Sequence, residues 1–155
     1  MDSKMEAANT CILANSKQAA AISFVPLVSV PLVHGICVKM IVQLNKIFGI
    51  STDTRFGSEI FNNVLAGVVM APVMALPLLG AGMSYVYIKS IGEDYATAVA
   101  AVLSSVEKEK DAGSACCVDI EDECLIADRI KLELQSMYKY RRTRRGEHSF
   151  RSLEL

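Results

Sequence analysis

Residues 64–88 read VLAGVVMAPVMALPLLGAGMSYVYI, and not one of them is charged. The charge-free run begins earlier, at Ile60, and is 29 residues long with Phe61, Asn62 and Asn63 included. As one helix it would exceed the roughly 30 Å of a bilayer core, since a helix rises about 1.5 Å per residue. Pro72, Pro77, Gly80 and Gly82 interrupt it. A proline inside a helix removes a hydrogen bond and collides with the preceding turn. The stretch therefore reads as the end of one helix, a break at PLLGAG, and the start of another. Such an apolar hairpin fits a bundle core or a membrane, and both readings stay open. Residues 60–79 and 18–38 are the two segments long enough to serve as spans.

Working outward, the rest of the chain also reads as helical. FVPLVSVPLVHG carries Pro26 and Pro31, and Pro31 suits the first turn of a helix. In GICVKMIVQLNKIFG, Lys39, Gln43 and Lys46 form a narrow polar stripe. Ile36, Met40, Ile41, Leu44, Ile47 and Phe48 cover the other sides, as expected of a largely buried helix. Gly49 suits the left-handed position that closes it. A helix is predicted from Asp53 to about Met74, and a further one from about Gly82 to Lys110. The latter has Met83, Val86 or Tyr87, Ile91, Tyr95, Ala98, Val102 and Val106 on one face, and Lys89, Glu93, Asp94 and Thr97 on the other. A last amphipathic helix is expected over 121–142, with Ile126, Ile130, Leu134 and Met137 or Tyr138 as its apolar stripe.

The expected fold is all-α: an apolar helical hairpin or bundle with transmembrane or membrane-inserted segments and an amphipathic C-terminal helix. Its expected parts are a polar segment (1–17), an apolar helical domain (18–110), a linker (111–120), the amphipathic helix (121–142) and a disordered basic tail (143–155). The net charge of −1 gives no overall pull toward nucleic acid. Locally the signs separate, with DIEDE at 119–123 and KYRRTRR at 139–145. The polar start predicts no secretory leader. Five cysteines, two of them adjacent, do not form a disulfide framework and point to a reducing compartment.

Two stretches, residues 24–50 and 76–99, resemble the helical domain of unknown function found at the C-terminus of small GTP-binding proteins and in small bacterial inner-membrane proteins. Pro26, Lys39, Met40, Phe48 and Gly49 carry the first part of the resemblance, and Pro77, Gly80, Ile91, Gly92 and Tyr95 the second. The resemblance implies a membrane-associated or GTPase-coupled helical module with no catalytic residues to transfer. The chain has no G-x-x-x-x-G-K-[ST] loop to cradle phosphates, so a GTPase would act in trans.

No nucleophile–base pair, paired acid or glycine loop stands out, and no enzyme, cofactor or metal is expected. Cys116, Cys117 and Cys124 with His148 lack the paired spacing of zinc sites. His34, in apolar sequence, is expected to be satisfied by backbone. The candidate membrane or partner residues are Gly67, Ala71 and Ala75, spaced for close helix contact, and the basic Lys139, Arg141, Arg142, Arg144 and Arg145. The leading expectation is a non-enzymatic module bound to membrane lipid, with its tail facing the cytoplasm. Alternatives are a soluble cytoplasmic adaptor that docks a GTPase or another copy of itself, and a small pore former that oligomerises through Gly67, Ala71 and Ala75.

Overall fold

The computed structural model describes residues 2–23, 29–50, 54–60, 77–111 and 123–151, and every regular element among them is helical. These are α1 (Asp2–Ile22), α2 (Ser29–Phe48), α3 (Thr54–Ile60), α4 (Pro77–Asp111) and α5 (Glu123–Arg151). The all-α expectation holds. Among the described residues no helix is long and apolar enough to cross a membrane. Of the two candidate spans, 18–38 is divided between the end of α1 and the start of α2, and 61–76 lie outside the described residues.

The centre is a three-helix stack of α1, α2 and α4. Short side chains on α1 make it possible: Ala8, Ser16 and Ala19 are fully buried beside Ile12. α1 runs antiparallel to α2, since Lys4 at its start donates to the Phe48 carbonyl at the end of α2, at 3.2 Å. It is also antiparallel to α4. Ser23 donates to or accepts from Ser84 at 2.6 Å, and Ile12 lies against Gly92. A Cβ placed on Gly92 would meet Ile12 Cγ1 at 2.7 Å and Met40 Sδ at 3.1 Å. Gly92 is thus a point of close approach among the three helices. α2 closes as predicted, with Gly49 at φ 83° and the Ile50 amide donating to the Asn45 carbonyl at 2.8 Å.

α2 buries Ile36, Met40, Ile41, Leu44 and Phe48 and leaves Lys39 and Lys46 outside, as the stripe predicts. On α4 the expected face is inside from Ile91 to Val106. The choice between Val86 and Tyr87 falls to Tyr87, which packs on the core while Val86 is 59% exposed.

Two expectations for α4 are corrected. PLLGAG is no break; it forms the first turns of the helix, because Pro77 occupies a first-turn position where its missing N–H costs nothing. Asp94, expected on the polar face, is buried, because Tyr138 of α5 covers it and donates to its carboxylate at 3.2 Å.

α5 packs antiparallel on α4 through Ile126, Ile130 and Leu134, with Met137 and Tyr138 half-buried against the same core. Arg129 reaches Glu109 at 3.1 Å near the end of this hairpin where the chain passes from α4 to α5. α3 sets Gly57 against Val38 of α2 and is tied to α5 by Lys131. That ammonium donates to Glu59 at 3.1 Å and lies 5.8 Å from the Phe56 ring centre. The Glu59 hydrogen bond, opposed by partial desolvation, pushes the Lys131 ammonium above its ordinary value. Helix α1 continues unbroken through residue 17, and α5 continues past residue 142 to Arg151.

Candidate functional site

Two features could meet a partner: the basic stretch of α5 and a groove between α1 and α2. The basic stretch follows directly on Tyr138, whose hydroxyl is held by the buried Asp94. Lys139 is exposed on α5, and Arg141, Arg142, Arg144 and Arg145 lie on the same continuous helix over the next two turns. Sequence reading placed these residues in and beyond the end of an amphipathic helix. The structure puts all five on the helix whose preceding turns pack on the bundle. Gly67, Ala71 and Ala75 lie outside the described residues, as do Cys116 and Cys117.

The groove, about 510 Å³ in volume, has Cys11 and Asn15 of α1 on one wall and Lys39, Gln43 and Lys46 of α2 on the other. The polar stripe read on α2 is therefore the groove's α2 wall. The α1 half was not read from the sequence, where Cys11 and Asn15 stand in an Ala- and Ser-rich segment with no motif around them. Asn15 Nδ2 donates to Gln43 Oε1 at 2.9 Å and to the Cys11 carbonyl at 2.9 Å. The Cys11 thiol donates to the same Gln43 oxygen at 3.4 Å. Partial burial raises the Cys11 thiol above its ordinary value, against smaller opposing effects of Asn15 and Lys39. The thiol is then protonated near neutral pH, which makes it a poor nucleophile. The groove lining holds neither histidine nor carboxylate to act as a base. Two ammonium groups, Lys39 and Lys46, and the Asn15–Gln43 amide pair line it.

Among the described residues no three His, Cys, Asp or Glu side chains cluster to hold a metal ion. His34 is half-buried on α2. Comparison of the chain with family models, with curated proteins and with solved structures finds no match in any of the three.

Proposed function

We propose that the chain is a non-enzymatic helical module that associates with an anionic membrane surface through the basic stretch of α5. The supporting observation is that five basic residues in seven lie on a helix clamped to the bundle at Asp94–Tyr138. A pre-ordered helix binds without the entropy cost of ordering a tail. Each basic residue near an anionic surface contributes about 1 kcal/mol. The family resemblance makes a separate GTPase the protein partner class for such a module.

The test is flotation of the full chain with vesicles of neutral lipid, and with vesicles containing phosphatidylserine. Binding is expected only to the anionic vesicles, with a loss of about tenfold or more when Arg141, Arg142, Arg144 and Arg145 are all changed to Gln. Absence of flotation, or equal binding to neutral lipid, would overturn the reading.

The groove supports a second reading, an adaptor that receives an acidic segment of a partner protein between Lys39 and Lys46. That reading predicts partner capture that survives the arginine changes and fails in a Lys39→Glu, Lys46→Glu variant.

A further inference from the structure

The hydrogen bonds inside the α1–α2 groove fix what it offers a ligand. Asn15, on its α1 side, is 5% exposed. The Cys11 carbonyl can only accept, so the Asn15 group 2.9 Å from it is the amide nitrogen. The second N–H of that nitrogen needs an acceptor, and it meets Gln43 at 2.9 Å. The Cys11 thiol donates to the same atom at 3.4 Å. That atom is therefore the Gln43 oxygen, and the Gln43 nitrogen is the end left over. This Nε2 donates to nothing among the described residues. Lys39 stands four residues before Gln43 and Lys46 three after it, both exposed. Neither lysine forms an ion pair among the described residues. The α2 wall thus presents ammonium, amide N–H and ammonium in a row, and no carboxylate lines the groove. Glu6, one residue before the lining Ala7, is the nearest acidic residue along α1.

The α1 wall is low. Ala7, Thr10, Cys11 and Ala14 recur along it at helical steps, all with short side chains. From Ala7 to Gln18 it runs about 16 Å, or three helical turns. Short side chains at a contact let a second helix axis come near. The spacing of the donors then favours a helix over a strand as guest. Lys39 and Lys46 are separated by about 10.5 Å along α2. On a helix laid along the groove, residues i and i+7 are two turns apart, at that same distance and on one face. On a strand, residues of one face lie about 6.8 Å or about 13.6 Å apart, and neither matches. A strand would also bring backbone groups in need of partners, whereas a helix satisfies its own. A second copy of this face would set lysine against lysine, which opposes association.

We infer that the α1–α2 groove seats a helix of a partner protein that carries carboxylates at i and i+7, one for Lys39 and one for Lys46, with an acceptor side chain between them for the Gln43 amide nitrogen. The inference rests on the adaptor reading of the groove and adds to it the conformation of the guest and the register of its acidic residues. Exposed ion pairs are individually weak, so the preference comes from meeting all three donors at once.

The probes are hydrocarbon-stapled helical peptides of alanine and glutamine, about four turns (~15 residues) long, each with a net-neutral fluorophore. One carries Glu at i and i+7 with Gln at i+4. The second has the same composition with Glu at i and i+5, which places the carboxylates on different faces. A third keeps the i and i+7 spacing but is unstapled and broken by a central proline. Each is titrated with the full chain by fluorescence anisotropy at low salt, and circular dichroism checks the helicity of the peptides and the fold of every variant.

The i, i+7 helix should bind about fivefold or more tighter than either of the other two peptides, and a Lys39→Gln, Lys46→Gln variant should lose that preference. Gln43→Glu keeps an oxygen for Asn15 and Cys11 and replaces the free N–H by a negative charge. It should weaken the i, i+7 helix about threefold or more, since the charge now faces carboxylates. A Lys39→Glu, Lys46→Glu variant should instead prefer a peptide with Lys at i and i+7. Equal binding of the three peptides, lost in the Lys39→Gln, Lys46→Gln variant, would leave an acidic guest in the groove and overturn its helical register. Tightest binding of the proline-broken peptide would do the same. Binding of none of the peptides would overturn the adaptor reading and this inference with it. Binding unchanged in the Lys39→Gln, Lys46→Gln variant would place the acidic peptides elsewhere on the chain and overturn both.

Discussion

Tyr95 of α4 donates its phenolic O–H to Oδ1 of Asn45 on α2 at 2.7 Å, with both side chains enclosed in the core. Burial pushes the Tyr95 phenol well above its ordinary value, and the Asn45 bond opposes that only in part. A polar pair at the centre of an otherwise apolar stack fixes register, because sliding α4 along α2 by one turn would strip both groups of this bond inside a low-dielectric core. Tyr95→Phe keeps the ring and removes the donor. It should lower unfolding stability by about 1–2 kcal/mol, read from urea melts. A change within the error of the melt would show that the bond sets no register.

Gly92 and Gly82 are both inside α4, and the same substitution should have opposite signs at the two. At Gly92 a methyl group would meet Ile12 Cγ1 at 2.7 Å and Cγ2 at 2.9 Å, so α1 must move or Ile12 must leave its rotamer. Overpacking of this kind costs about 1–3 kcal/mol, which outweighs the roughly 1 kcal/mol gained in helix propensity. At Gly82 nothing lies within 4 Å, so only the propensity gain remains. Gly92→Ala should therefore lower the thermal midpoint and Gly82→Ala raise it. Adding Ile12→Val to Gly92→Ala should recover part of the loss, since the clash involves Ile12 itself. Equal effects at the two glycines would mean that α1 and α4 do not approach as closely as Gly92 indicates.

Much of this architecture was legible from residue spacing. The α2 stripe, the Gly49 stop, the core face of α4 from Ile91 to Val106 and the α5 stripe all follow a helical period that burial then confirms. What spacing misjudged was punctuation and tertiary cover. Pro77, Gly80 and Gly82 read as a break because each disfavours a helix interior, yet a proline at a helix start is neutral and the apolar turns after it continue. Asp94 read as solvated because one helix cannot show that a tyrosine 44 residues away will cover it. The groove was half-read for the same reason: Lys39, Gln43 and Lys46 mark their own helix, whereas Cys11 and Asn15 gain meaning only from the antiparallel packing of α1 on α2.

Cys37 makes the fold sensitive to alkali. Its side chain is fully buried on α2, and desolvation pushes the thiol from an ordinary 9.0 up to about 12. Tyr87 follows, pushed from 10.0 to about 12 by burial first and by Cys37 second. In the unfolded chain Cys37 gives up its proton near pH 9, while in the folded chain it keeps the proton to about pH 12. Between those values the folded state binds more protons than the unfolded state, so stability falls as pH rises. One such proton is worth about 1.4 kcal/mol per pH unit. Below pH 9 both states hold the proton, and Cys37 contributes no slope. Urea melts from pH 8 to 11 should show a flat region followed by a steady loss. Cys37→Ala, which removes the thiol at the cost of a small cavity, should lie below the wild type at pH 8 and lose stability less steeply above pH 9, by about one proton's worth of slope. Parallel curves for the two proteins across that range would place the Cys37 thiol in contact with water and contradict its position in the core.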